Sequence, residues 1–146
     1  MSVFWSREAR QVLIDTSAYY AALNRRADHH ARALENFAEL VSQRRILYTT
    51  NLIVAETHAL ALKRLGRAVA TNFLQQIYVA ETGIVRVRSA DERRAREIIT
   101  TQDDKDYTLT DATSFAVMER LRIGTAFTFD RHFVQYGFTV LGLDAP

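Results

Sequence analysis

At 146 residues, with 48% hydrophobic and 25% charged side chains, the chain has the length and composition of one folded domain, which disfavours a disordered tail. It holds no cysteine, which excludes disulfides, thiolate metal sites and cysteine nucleophiles. The net charge is only +2, but every one of the 19 basic residues except Lys63 and Lys105 is arginine, the side chain that forks onto phosphates and stacks on bases.

Residues 1–10 read as a short N-terminal extension without the apolar stretch of a signal peptide. No apolar run approaches the roughly 20 residues of a membrane span. The chain is therefore expected to be cytoplasmic, with no membrane contact. Gln11–Asp15 is a short apolar run passing straight into helix-like sequence, as a buried parallel strand does. Helices are expected over Ser17–Asn24 and His29–Ser42, then a strand over Arg45–Thr49. Thr50 or Asn51 caps a helix that runs to about Leu65 and stops at Gly66. A further helix covers Ala68–Ala80, and Gly83 precedes a strand at Ile84–Val87. Ser89 to Glu92 reads as a capping box for a helix reaching about Thr101. After the polar loop Gln102–Tyr107, a second capping box over Thr108–Asp111 opens a helix that ends near Gly124. The chain closes with a strand at Thr125–Phe129, a turn or short helix around Arg131–Tyr136 and a last strand over about Thr139–Leu143. The alternation predicts a three-layer α/β/α sandwich on a mostly parallel sheet, in a single domain spanning residues 1–146.

Four acids stand out in this frame. Asp15 and Asp130 end β-like runs, Asp111 opens a helix and Glu56 sits inside one. The carboxyl ends of parallel strands face one crevice, so acids delivered there converge. Converged carboxylates repel unless they are protonated or bound to a cation, and hard divalent ions prefer oxygen ligands. Each acid also has an ordinary reading. Asp15 can cap a helix, Asp111 can complete a capping box, Glu56 can be a solvated helix residue and Asp130 can belong to a turn. Those readings leave unexplained why three aspartates share the carboxyl-end side of one sheet.

The residues around the acids resemble a known family. Leu13-Ile14-Asp15-Thr16-Ser17-Ala18 resembles the opening motif of a PIN domain, and Glu56 falls where that family has a helical glutamate. Thr110-Asp111-Ala112-Thr113-Ser114-Phe115 and Phe127-Thr128-Phe129-Asp130-Arg131-His132-Phe133 resemble its third and fourth motifs. The resemblance covers about residues 11–143 and is closest to the small VapC-type toxins of toxin–antitoxin pairs. It implies a sheet of four or five parallel strands and an endoribonuclease dependent on Mg²⁺ or Mn²⁺. Asp15, Glu56, Asp111 and Asp130 would be the metal-site acids: Asp15 and Asp111 as direct ligands, Asp130 as a ligand directly or through water, and Glu56 orienting the attacking water or holding a ligand water. Thr16, Ser17 and Thr110 would support the acids through their hydroxyls. Thr128 is a weaker candidate, expected to face away. The resemblance also implies an RNA substrate, a small antitoxin protein as partner and a homodimer.

The pattern departs from the family in two places: some members carry a further acid just after the fourth, where this chain has His132 and Phe133, which speaks against a second metal, and Asp106 adds an acid five residues before Asp111. Asp106 is read as a loop residue or as the edge of the site. The histidines His29, His30, His58 and His132 are read as structural or surface residues, His132 alone lying near the site. Tyr19 and Tyr20 are read as core or interface. Arg25, Arg26, Arg44, Arg45, Arg86 and Arg88 are loose candidates for RNA contact. Two competing functions remain: a phosphotransfer domain with Asp15 as nucleophile, and a non-catalytic PIN-like RNA-binding or scaffold protein. The phosphotransfer reading wants an acid two residues after Asp15, where Ser17 stands; the non-catalytic one is disfavoured by the presence of all four acids.

Overall fold

The structure is a computed structural model that describes residues 5–143. Residues 1–4 of the expected extension lie outside the described residues. The rest of the extension contains a helical turn, α1 (Arg7–Arg10), capped by the Ser6 hydroxyl. The following elements are β1 (Gln11–Ile14), α2 (Thr16–Leu23), α3 (His30–Ser42), β2 (Ile46–Thr50), α4 (Asn51–Leu65) and α5 (Arg67–Val79). They continue with β3 (Gly83–Val85), α6 (Ser89–Thr101), α7 (Leu109–Leu121), β4 (Thr125–Phe127), α8 (His132–Tyr136) and β5 (Thr139–Leu141).

The sheet has five strands in the order β3-β2-β1-β4-β5, and every pairing is parallel. β1 is central and buried at all four positions, which explains why its sequence is continuously apolar apart from Gln11. From β1 the chain winds outward through β2 to β3, then returns to pair β4 on the other side of β1. Right-handed crossovers place the helices of the two windings on opposite faces. The packing agrees: α2 meets α3 and α4, and α4 meets α5, whereas α6 meets α7, which meets α8. The winding reverses at β1, so the crevice at the carboxyl ends of β1 and β4 is where a site is expected.

The core packs Val12, Leu13 and Ile14 against Phe115, Met118, Phe127 and Phe133, all fully buried. Among the described residues, no helix is long and apolar enough to cross a membrane.

Four local expectations are corrected. β4 ends at Phe127 and β5 at Leu141, two residues earlier than the apolar pattern suggests. The Thr128 amide still donates to the Leu141 carbonyl of β5, but the Phe129 and Asp130 amides donate to the side chains of Ser17 and Thr128, and the chain leaves the sheet there. The helix after Asp111 stops at Leu121, three residues before Gly124, because Arg122 takes a left-handed conformation. Ser89 does not cap α6. The N-cap is Arg88, whose amide donates to Asp91 Oδ2 at 2.9 Å, so Asp91 alone supplies the cap. The box over Thr108 and Asp111 is complete, each side chain accepting the other's backbone amide.

Candidate active site

Asp15, Glu56, Asp111 and Asp130 line one cavity of about 380 Å³. Asp15 follows β1, Glu56 lies on α4, Asp111 on the first turn of α7 and Asp130 after β4. The cavity thus draws acids from both helical layers and from the carboxyl ends of adjacent strands. Thr16, Ser17, Tyr20, Asp28, His29 and Phe129 line it as well.

Asp15 occupies the N-cap position of α2 but makes no capping bond. Its Oδ2 accepts instead from the Ser17 hydroxyl at 3.0 Å and the Thr128 hydroxyl at 2.8 Å. Those hydroxyls accept in turn from the Phe129 and Asp130 amides, both at 2.9 Å. One clasp therefore ties the start of α2 to the 128–130 turn and fixes both Asp15 and Asp130. Thr128, expected to face away, is fully buried and is the stronger donor of the pair. Its hydroxyl is held by the Asp15 carboxylate, 113 positions away, and by the Asp130 amide, and no local sequence pattern reveals the first of these partners.

Burial pushes the Asp15 carboxyl up to about 6, despite the hydroxyl donors that favour its charged form. Burial also raises Asp111; the hydrogen bond from His132 works against this and the nearby Asp130 charge adds to it. His132 Nδ1 lies 2.9 Å from Asp111 Oδ2 and 3.4 Å from Asp130 Oδ1. Burial alone would lower the imidazole, but its bond to Asp111 and the charges of Asp130, Asp111 and Asp106 raise it. The shifts share a direction: burial, with a smaller contribution from neighbouring carboxylates, disfavours negative charge on Asp15 and Asp111.

A cation fits this cavity. One ligand atom each from Asp111, Asp130 and His132 lie within 4.8 Å of one another. Thr16 Oγ1, buried and lining the same cavity, has no hydrogen-bond partner. A hydroxyl buried without a partner is costly, and a bound ion's water would satisfy it. The donor set is rich in carboxylate oxygen, as a hard divalent ion requires.

The other sequence candidates divide. Glu56 is exposed and no hydrogen bond holds its carboxylate among the described contacts, so it is free to swing over the cavity. Ser17 and Thr16 sit as expected. Thr110 does not line the cavity; Thr108, two residues earlier, holds Asp111 through the capping box. Asp106 is exposed and also outside the lining, though its charge reaches His132. His58 lies outside the lining. His29, read as a surface residue, is at the cavity, its ring stacked on Phe129 at 4.4 Å. Nothing in the sequence marks it, because residues 29 and 129 meet only through the fold. Tyr19 is in the core, and Tyr20 is half-buried at the cavity wall. Arg44 and Arg45 precede β2, at the end of the strands opposite the acids. Arg45 lies over the Trp5 ring there, and Arg10 donates to the Arg44 carbonyl.

Residues 12–139 match the PIN domain family. The chain is 34% identical over 131 residues to the 23S rRNA-specific endonuclease VapC20 of Mycobacterium tuberculosis, a match covering 87% of this chain and 95% of the relative. The crystal structure of M. tuberculosis VapC20, described as a sarcin–ricin loop cleaving toxin, superposes with a TM-score of 0.82 at 29% identity, over 88% of this chain and 96% of that one. FitAcB from Neisseria gonorrhoeae shares the fold at a TM-score of 0.66 and 16% identity, over 89% of this chain and 96% of its own. A toxin–antitoxin complex from Klebsiella pneumoniae does so at 0.62 and 15%, over 92% and 99%. With four acids gathered at the reversal point of a parallel sheet, and the family's match running from β1 to β5, the chain belongs to the PIN-domain family, in its VapC branch.

Proposed function

We propose that the protein is an endoribonuclease that hydrolyses RNA phosphodiester bonds with a divalent cation, Mg²⁺ or Mn²⁺, and acts as the toxin of a toxin–antitoxin pair. The observation that carries the reading is the convergence of Asp15, Glu56, Asp111 and Asp130 on one cavity. The likeness to an rRNA-specific endonuclease supports RNA as substrate and makes a sarcin–ricin-type loop the first RNA to try. The complexes among the fold's relatives support a small antitoxin partner. We further infer a cytoplasmic homodimer, in line with the expectations drawn from the sequence.

Asp15, Asp111 and Asp130 are the residues that would hold the cation, with His132 beside them. A divalent ion there supplies charge neutralisation at the phosphoryl oxygens and a more acidic water. The chain's own groups do the rest. The Ser17–Thr128 clasp holds Asp15 in one orientation, so little reorganisation accompanies binding. His132 and the Thr108 amide fix the Asp111 carboxylate from two sides. Glu56, which lines the cavity free of such bonds, would orient the attacking water and accept its proton.

The test is cleavage of a structured RNA by folded, nuclease-free preparations of the wild type and of Asp15→Asn, Glu56→Gln, Asp111→Asn and Asp130→Asn. Each amide should lower the rate by at least about a hundredfold, the scale of a lost proton-transfer or electrostatic group. EDTA should silence the wild type and Mn²⁺ should restore it. Full activity in Asp15→Asn or Asp111→Asn would sink the mechanism, whereas retained activity in Glu56→Gln alone would demote Glu56 to a supporting role.

A further inference from the structure

Beside the acidic cavity lies a second one of about 520 Å³, and Tyr20 lines both. Its wall carries Arg25, Arg26 and Arg64, all exposed, and no carboxylate among its lining residues. None of the three is ion-paired among the described residues. The Arg64 guanidinium lies 5.7 Å over the Tyr20 ring. Unneutralised arginines gathered in one concavity raise the local concentration of anions. Next to a cavity rich in acids, they offer a polyanion a place to bind that the acids themselves refuse.

At the mouth of the acidic cavity, the His29 ring lies on Phe129 at 4.4 Å with an interplanar angle of 4°. Phe129 is half-buried and packed against Phe127 of the core, so the support is rigid. His29 remains exposed although one ring face is covered, and its other face is therefore presented to solvent. The loop that carries it is ordered from within. The Arg26 amide donates to the Asn24 side chain, the Ala27 amide to the Asn24 carbonyl, and the His30 ring meets the Ala21 carbonyl at 2.8 Å. A flat π-face on a packed support beside an arginine-lined cavity is the arrangement by which proteins hold single strands.

We propose that the two cavities form one track for single-stranded RNA, a base stacking on the free face of His29 while flanking phosphates bind Arg25, Arg26 and Arg64. The track rests on the ribonuclease reading and adds the residues that seat the strand beside the acids. His29 is a positioning residue; the chemistry stays with the carboxylates.

The experiment is fluorescence anisotropy of a labelled single-stranded RNA of about twelve nucleotides, a length within one site's usual span, in EDTA so that binding is read apart from cleavage. His29→Ala should weaken binding roughly tenfold, the loss expected for one stacked base, and His29→Trp should restore it. An RNA lacking the base at one position should bind the wild type as weakly as the intact RNA binds His29→Ala, and that variant should not distinguish the two. Each of Arg25→Ala, Arg26→Ala and Arg64→Ala should flatten the dependence of log affinity on log salt by about 0.7, the slope of one phosphate contact on a single strand. All these side chains are exposed, so unchanged melting curves will show that the variants fold. Wild-type affinity in His29→Ala and in the triple arginine variant overturns the track, and if those variants lose an acidic peptide instead, the arginine cavity is a protein-docking site. Mn²⁺-dependent cleavage by the wild type alongside that result leaves the nuclease reading intact. Binding through these residues without any Mn²⁺-dependent cleavage upholds the track and removes the nuclease reading.

Discussion

Asp15 is a single side chain whose burial works against the fold. Its carboxyl is buried and its pKa stands at about 6 instead of 3.8. A raised carboxyl pKa means that the folded state holds the proton more tightly than the unfolded chain. The associated stability is present below pH 3.8 and is lost as pH rises through about 6. At pH 8 the ionised group is therefore a liability, on the order of 1–3 kcal/mol for a shift of this size. Asp15→Asn keeps an oxygen for the Ser17 and Thr128 hydroxyls without the charge. In EDTA at pH 8 the variant should melt several degrees above the wild type, and the gap should narrow as pH falls through about 6 and close only below 3.8. A lower melting temperature for Asp15→Asn at pH 8 would show that the hydroxyl clasp, not desolvation, dominates at this position. Thr128→Val tests the clasp from its other end. It preserves shape but removes the donor to Asp15 and the acceptor for the Asp130 amide, and should cost about 1–3 kcal/mol in urea unfolding.

Two elements owe their placement to single contacts. Gly142, just after β5, has φ +108° and approaches the Thr128 carbonyl so closely that an added Cβ would lie 2.6 Å from it. The end of β5 thereby presses on the turn that carries Thr128 and Asp130, and only glycine permits that approach. Gly142→Ala should destabilise by roughly 1–3 kcal/mol through strain and should lower activity further by moving Thr128; a variant with wild-type melting would show that the turn yields without cost. On the opposite face, Arg120 of α7 grips the buried Asp91 of α6 with two bonds of 2.9 Å. Burial alone would raise Asp91, but the bonds from Arg120 and the Arg88 amide outweigh it and hold the carboxyl below 3.8. A depressed carboxyl pKa contributes stability that is present above the unfolded value and is lost as pH falls through the folded one. Asp91→Asn should therefore cost roughly 2–4 kcal/mol at pH 7, with the difference in melting temperature closing only below about pH 4. Because α7 carries Asp111, loosening this grip should also reduce cleavage.

Across the whole molecule, the acid cavity joins β1, α4, α7 and the segment after β4, parts that the chain order keeps far apart. A cation held there would bind the native state and not the unfolded chain. Millimolar Mn²⁺ should therefore raise the melting temperature at neutral pH, by an amount that grows with the logarithm of its concentration. The gain should shrink in Asp111→Asn and in Asp15→Asn. A melting curve that Mn²⁺ leaves unmoved in the folded wild type would count heavily against a metal site in this cavity.

The sequence by itself determined the class of the fold and the identity of the acids. A continuously apolar β1, strands alternating with amphipathic helices, and acids placed where strands end or helices begin are local features, encoded in the order and period of residues. The tertiary structure decided everything that depends on residues distant in the chain. Ser17 meets Thr128 across 111 positions, and His132 meets Asp111 across 21. Hence Thr128 entered the site, Thr110 left it in favour of Thr108, and His29 found Phe129. Arg44 and Arg45 fell at the other end of the strands because Asp15 and Asp130 follow the carboxyl ends of β1 and β4, whereas these arginines precede the start of β2. Periodicity reports which face of an element is buried, but only strand order and helix packing bring two side chains to hydrogen-bonding distance, and no local pattern carries that information.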